Sequence, residues 1–251
     1  ARAMGLVRTA CGLVLVLGPA GAQHAGTLVR EAHPAVSVEH CTVACGCSSE
    51  PAAVTIDANW RWTHDAKGWR NCFTDGEWSS ELCPDGQACA ANCALEGVDA
   101  AGYEQTYGVR QVPGGVELKF VSDGGNVGSR LYVTDGEDSY KLFRLKNREF
   151  SVDVDVASLA CGLNGALYFV EMDVQGGKGL GGNTAGAKFG TGYCDAQCPH
   201  DIKWQDGEAN VDGQRGMCCF EMDIWEANRM ATAFTPHPCS VKGAFRCSGT
   251  A

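Results

Sequence analysis

The 251-residue sequence predicts an all-β fold, an antiparallel sandwich, on three observations. Turn pairs recur at short intervals, at Asp75-Gly76, Asp85-Gly86, Gly114-Gly115, Asp123-Gly124, Asp135-Gly136, Asp206-Gly207 and Asp212-Gly213. Between them lie short runs in which apolar and polar residues alternate, the period of a half-buried strand. No amphipathic helical pattern longer than about three turns interrupts them. Short strands separated by turn signals make a sandwich, and a lectin-like jelly roll fits the pattern well.

Residues 1–22 carry Arg2 and Arg8, then an apolar run over residues 10–17, then Ala20-Gly21-Ala22, the layout of a cleaved secretory signal. The mature chain is expected to begin at Gln23, and Ala1 to Ala3 before Met4 read as translated upstream sequence. The apolar run is too short to span a bilayer, and no other segment reads as membrane-embedded. Removing Arg2 and Arg8 from 20 basic residues leaves 18 against 30 acidic ones, a formal charge of about −12. That balance argues against nucleic acid or an anionic membrane as partner. Cysteine is abundant, 15 in all with only Cys11 inside the signal, and in an exported chain that density means disulfides in an oxidising compartment. Cys194, Cys198, Cys218 and Cys219 imitate a four-thiolate zinc site, but adjacent cysteines rarely ligate one ion, so bridges are expected and no metal.

Strands are expected over residues 116–122, 130–134, 140–145, 149–156 and 166–174. The fourth alternates most cleanly, Phe150, Val152, Val154 and Val156 against Ser151, Asp153 and Asp155. Gly177-Lys178-Gly179-Leu180-Gly181-Gly182 satisfies the letter of the dinucleotide fingerprint, but no helix pattern follows to hold a pyrophosphate, so it reads as a glycine-rich surface loop.

The run Cys218-Cys219-Phe220-Glu221-Met222-Asp223-Ile224-Trp225-Glu226-Ala227-Asn228 places three acids among large apolar side chains. On a regular strand Glu221 and Asp223 share one face, and Phe220, Met222 and Ile224 share the other as core. Glu226 would then point into the apolar side, a costly place for a charge. One extra residue near Ile224 and Trp225, a β-bulge, returns Glu226 to the face of the other two acids. The plainer alternative is a solvated strand face. Against it, acids with a neighbouring tryptophan are what a sugar site wants. Glycosidic cleavage with retention needs an acid and a nucleophilic carboxylate about 5–5.5 Å apart, and Glu221 and Glu226 suit it. Asp223 would orient and tune Glu221, while repulsion keeps Glu226 protonated.

In Ile56-Asp57-Ala58-Asn59-Trp60-Arg61-Trp62 two indoles flank a guanidinium. Each indole is as readily core as a platform for a pyranose ring, with Asn59 and Arg61 available to hydroxyls. Tyr168 reads as core or groove, and His237, between two prolines, as a plain loop histidine.

Glu221 to Asn228 (EMDIWEAN), followed by Thr235-Pro236-His237-Pro238-Cys239, closely resembles glycoside hydrolase family 7, the cellobiohydrolases and endoglucanases. The likeness continues through residues 56–63 (IDANWRWT), 126–132 (NVGSRLY), 150–156 (FSVDVDV), 161–170 (CGLNGALYFV) and 183–199 (NTAGAKFGTGYCDAQCP), and covers residue 23 to about 247. The resemblance implies a concanavalin A-like jelly roll with a long substrate groove. It implies Glu221 as nucleophile, Asp223 as its orienting partner and Glu226 as acid/base, acting without a cofactor on cellulose or another β-1,4-glucan. It places Trp60 and Trp62 in the distal entrance region, Asn126, Arg130, Asn164, Tyr168, Asp195, Gln197 and Lys203 along the groove, and His237 near the point of cleavage. The bridges it implies are Cys41–Cys47, Cys72–Cys93, Cys83–Cys89, Cys194–Cys219 and Cys198–Cys218.

Cys45, Cys161, Cys239 and Cys247 are left unassigned. Three of them match family cysteines whose partners lie further along, so residues 23–251 are expected to be the N-terminal part of a catalytic domain, C-terminally truncated. Gly26 and Ala94 stand where the family usually has a bridge. The short connection at residues 211–217 would open the cleft, whereas residues 126–130 look like the processive members. A secreted, monomeric cellobiohydrolase acting from the reducing end is the favoured expectation, an open-cleft endoglucanase the alternative. A glucan-binding lectin without turnover is the rival of another class.

Overall fold

The computed structural model describes residues 23–248, so the expected signal at residues 1–22 lies outside the described residues. The longest hairpin joins β1 (Ala35–Thr42) to β2 (Gly46–Ile56). Gly46 closes its tip at φ 71°, a backbone region that a residue without a Cβ reaches freely. Cys41 faces Cys47 in register and is bridged to it. The tip stands in solvent, but the inner end of β2 is buried at Val54, Thr55 and Ile56, where it pairs with β3 (Leu131–Thr134). Ile56 packs with Val98, Tyr103, Tyr107 and Val109.

The second three-stranded sheet has the order β4 (Gly165–Val170), β6 (Glu221–Ala227), β7 (Thr232–His237), antiparallel throughout. Between them in sequence, β5 (Arg215–Cys218) pairs with β8 (Phe245–Ser248). Two disulfides, Cys194–Cys219 and Cys198–Cys218, fasten the loop at residues 194–198 to the chain just before β6. All five expected bridges are formed. The four cysteines of the zinc-like pattern are therefore oxidised in pairs and offer no thiolate. Cys45, Cys161, Cys239 and Cys247 are free thiols.

Away from this sheet the one α-helix among the described residues, α1 (Gly86–Asn92), is capped by Asp85, whose carboxylate accepts from the Ala88 N–H at 2.8 Å. Cys72–Cys93 and Cys83–Cys89 hold it in a core with Leu82, Leu95, Phe189 and Trp204. At Gly26 a Cβ would meet the Glu96 carboxylate at 2.4 Å, so Glu96 fills the space beside this glycine.

Two expected strands do not form ladders. Residues 150–156 have no regular structure and lie beside the second sheet, with Phe150 edge-on to Phe169 at 5.2 Å, but Val152 and Val154 are exposed and no described strand bonds to the segment. Residues 140–145 make one bridge, Thr134 to Tyr140. Alternation specifies which side of a strand is apolar, and it says nothing of a hydrogen-bonding partner. The run expected over residues 116–122 is divided: Gly115–Leu118 pairs with Val109–Val112, and Val121 makes an isolated bridge to Val127. The glycine-rich loop contains one short 3-10 turn, Leu180–Gly182, and among the described residues only another 3-10 turn, Ala187–Phe189, follows it, with no α-helix. Among the described residues no helix is long and apolar enough to cross a membrane.

Candidate active site

Strand β6 carries the acids, and its register shows how they come together. Tyr168 of β4 is opposite Asp223 while Leu167 is opposite Trp225, so Ile224 is the extra residue on that side. On the other side Thr235 is opposite Asp223 and Ala233 is opposite Glu226, so Ile224 and Trp225 together face Phe234. This is the bulge the acid spacing calls for. Past it, Glu226 returns to the face of Glu221 and Asp223, and all three line an open cleft of about 530 Å³.

The rest of the lining comes from three places. Asn164, at the start of β4, donates its amide to Glu226 Oε1 at 2.9 Å, and the Thr235 hydroxyl reaches Glu226 Oε2 at 3.5 Å. His237 Nε2 lies 2.9 Å from Asp223 Oδ2. From the disulfide-fastened loop, the Ala196 N–H donates to Glu221 Oε2 at 3.2 Å. Asp195 accepts from the Gln197 N–H at 2.8 Å and the Tyr193 hydroxyl at 2.7 Å. Tyr168 and Tyr193 share a contact between hydroxyls at 3.2 Å.

Glu221 and Asp223 are nearly buried, at 8% and 4% exposure. Burial removes water from the carboxylate and pushes the Glu221 carboxyl up to about 7, with Asp195 and Asp223 adding repulsion and the Ala196 N–H and His237 opposing. Asp223 is also raised, by burial first and then by Glu226, against a hydrogen bond from His237. Glu221, Asp223 and His237 bring their polar atoms within 4.8 Å of one another. Near neutral pH the cleft thus holds a carboxyl at the balance point between its two forms beside others on the same face, the equipment for proton transfer and nucleophilic attack at one centre.

The structure divides the remaining expected residues. Asn164, Tyr168, Asp195, Gln197 and His237 gather around the acids. Asn59, Trp60, Arg130 and Lys203 form a neighbouring group. Arg130 is paired with Asp57 at 2.7 Å, and its guanidinium lies 3.3 Å over the Tyr193 ring and 5.4 Å from Trp60. Asn59 bonds the backbone of Asp201 and Lys203, and Lys203 Nζ donates to the Asn59 carbonyl at 2.6 Å. Trp62 is half-buried against His64. Asn126 bonds Gly128 and Ser122 within its own turn and shares no hydrogen bond with these residues.

Arg61 requires correction. It is not available to a substrate: it is 2% exposed, and its guanidinium is committed to Glu31, the Thr55 hydroxyl and the carbonyls of Ile56 and Glu96. A buried guanidinium keeps its charge only when paired, and Glu31 supplies the pair. Trp225 also leaves the sugar-facing side, because the bulge turns it with Met222 and Ile224 toward Phe150 and Phe169. Sequence reading missed Tyr193, Ala166 and Thr235 in the lining. Each is two residues from an expected member of the site, the spacing that returns a strand to the same face.

The family described as Glycosyl hydrolase family 7 matches residues 25–251. Among solved structures, a GH7 cellobiohydrolase from Daphnia pulex is 45% identical with a TM-score of 0.88 and shares 90% of this chain and 55% of its own. A cellobiohydrolase from Melanocarpus albomyces, solved with cellotetraose, is 40% identical at TM-score 0.83, over 90% and 55%. The Humicola insolens endocellulase EGI is 36% identical at TM-score 0.79, over 90% and 56%. The chain spans about half the length of these structures.

Proposed function

Because this chain belongs to glycosyl hydrolase family 7, we propose that the protein it represents is a secreted cellulase that cleaves β-1,4-glucan with retention of configuration. The observation that carries this is the bulge at Ile224 and Trp225, which sets Glu221, Asp223 and Glu226 on one face of an open cleft. In this reading Glu221 attacks the anomeric carbon while Glu226 gives its proton to the departing glycosidic oxygen. Glu226 then takes a proton from water, which releases the sugar from Glu221. Asp223, held by His237, orients Glu221. Asn164 and Thr235 aim Glu226. Arg130 and Trp60, joined to the cleft through Tyr193, extend the groove toward Trp62. No cofactor enters this chemistry.

Exo action, releasing cellobiose, is favoured by the higher likeness to the two cellobiohydrolases than to the endocellulase. One observation favours the endo reading. Residues 211–214 make only a tight turn, with the Gly213 N–H donating to the Asn210 carbonyl and the Gln214 N–H to Asp212, so this connection carries no long loop. The test is the pattern of soluble sugars from cellulose, measured beside Glu221→Gln. Mostly cellobiose, abolished by the substitution, supports exo cleavage. Mixed oligomers with a rapid viscosity drop support endo cleavage. A folded, glucan-binding protein that releases nothing would replace both with a lectin.

A further inference from the structure

Trp69 belongs to none of the groups above, yet it is 71% exposed. A single exposed indole needs no explanation, but this one adjoins a second indole, Trp62, and the two rings share one patch of surface. Trp69 stands on a turn closed by the Asp65 N–H bonded to the Arg70 carbonyl at 2.8 Å and the Gly68 N–H bonded to the Asp65 carbonyl at 2.9 Å. Its ring lies 5.9 Å from that of Trp62, with the planes inclined by 32°. Trp62 itself is fixed: its indole N–H donates to Asn71 Oδ1 at 2.7 Å, and its ring lies on His64 at 4.2 Å. His64 is locked in turn by Glu96 at 2.8 Å and the Gly68 carbonyl at 3.0 Å.

We propose that Trp62 and Trp69 form one platform for consecutive glucose units of a β-1,4-glucan, which adds a sugar subsite on Trp69 beyond the groove residues. The inference rests on the glucanase reading and extends it. A β-linked glucose ring has equatorial hydroxyls around its rim and only C–H bonds on its faces, so it stacks on a flat indole while its rim stays wet. Two tilted indoles at this spacing fit neighbouring rings of one chain. Because Trp62 is held before any ligand arrives, little side-chain freedom is lost on binding. The surroundings disfavour a polyanion: Arg70, next in sequence, is already paired with Glu81 at 2.9 Å and Asp65 at 3.3 Å, which leaves donors for neutral hydroxyls rather than net charge. The platform also continues an existing line, since Tyr193 in the cleft, Arg130 and Trp60 succeed one another and Trp62 follows Trp60 by two positions.

The test measures affinity for cellobiose, cellotetraose and cello-octaose by calorimetry on the full-length protein in a Glu221→Gln background, so that no ligand is consumed. Trp69→Ala is expected to weaken cello-octaose roughly three- to tenfold, the size of one aromatic contact. The cellobiose affinity is the reference for that loss, and Trp69→Tyr, which keeps a ring, should recover most of it. Equal octaose affinity in native and Trp69→Ala proteins overturns the platform and leaves the cellulase reading intact. So does a loss shared by all three oligomers together with a lowered melting temperature, which would make Trp69 a packing residue. If the unsubstituted protein binds no oligomer and releases no sugar from cellulose, both readings fall together.

Discussion

Glu221 is the residue at which stability and chemistry oppose each other. Its carboxyl, pushed up to about 7 from the ordinary 4.5, is favoured by the fold when protonated, so its stabilising effect is present below about 4.5 and is lost as pH rises through 7. Glu221→Gln keeps a neutral side chain at every pH. Relative to the unsubstituted protein it should gain ~1–2 kcal/mol between pH 5 and 8, after allowance for solvent screening, read from urea melts at the two pH values. Turnover has the opposite requirement, because a nucleophile must be ionised. The acid limb of kcat/KM should therefore rise with pH toward about 7. Asp223→Asn removes a charge that raises Glu221 and should move that limb to lower pH, whereas His237→Asn removes one that lowers it and should move the limb up. A limb that stays in place in both variants would detach the profile from Glu221. Charge of this kind was legible from the sequence as crowding of acids, but not which acid would be raised, because the first cause is burial and burial belongs to the fold.

Between elements, the network around Arg61 ties the inner end of β2 to the segments holding Glu31 and Glu96. Arg61→Ala would leave the Glu31 carboxylate, 2% exposed, without its counter-charge. A loss of about 3–5 kcal/mol is expected in thermal or urea melts, and a variant that folds with near-native stability would restore Arg61 as a surface residue. At α1, Asp85→Ala removes the side chain that accepts from the Ala88 N–H and should cost about 1 kcal/mol. The Arg61 assignment failed for an instructive reason. Alternation around Trp60 and Trp62 says that position 61 points the other way, but only the packing of Glu31 and Tyr103 against β2 shows that the other way is inward.

Over the whole molecule, the cleft depends on contacts far apart in sequence. The loop bearing Asp195 and Gln197 is held to the end of β5, just before β6, by two disulfides that span 25 and 20 residues. Replacing Cys198 and Cys218 together by serine should cost about 2–4 kcal/mol. It should also lower turnover, since the Ala196 N–H would no longer be held against Glu221. Unchanged activity in the double variant would show that Cys194–Cys219 suffices to hold the loop.

The sequence by itself determined the fold class, the family, the five bridges and the need for a bulge at Ile224 and Trp225. The fold class and the bulge follow from local chemistry, the two-residue period of a strand and the cost of burying Glu226 among apolar side chains; the family follows from motifs long enough to name it, and the bridge pairings only from the resemblance. Tertiary structure alone decided which side of a pattern meets the core. It buried Arg61 on Glu31, turned Trp225 to the apolar face, left residues 150–156 without a ladder, and placed Trp69 beside Trp62 at 5.9 Å. Period and composition specify a face. What that face touches is set by elements brought together from distant parts of the chain.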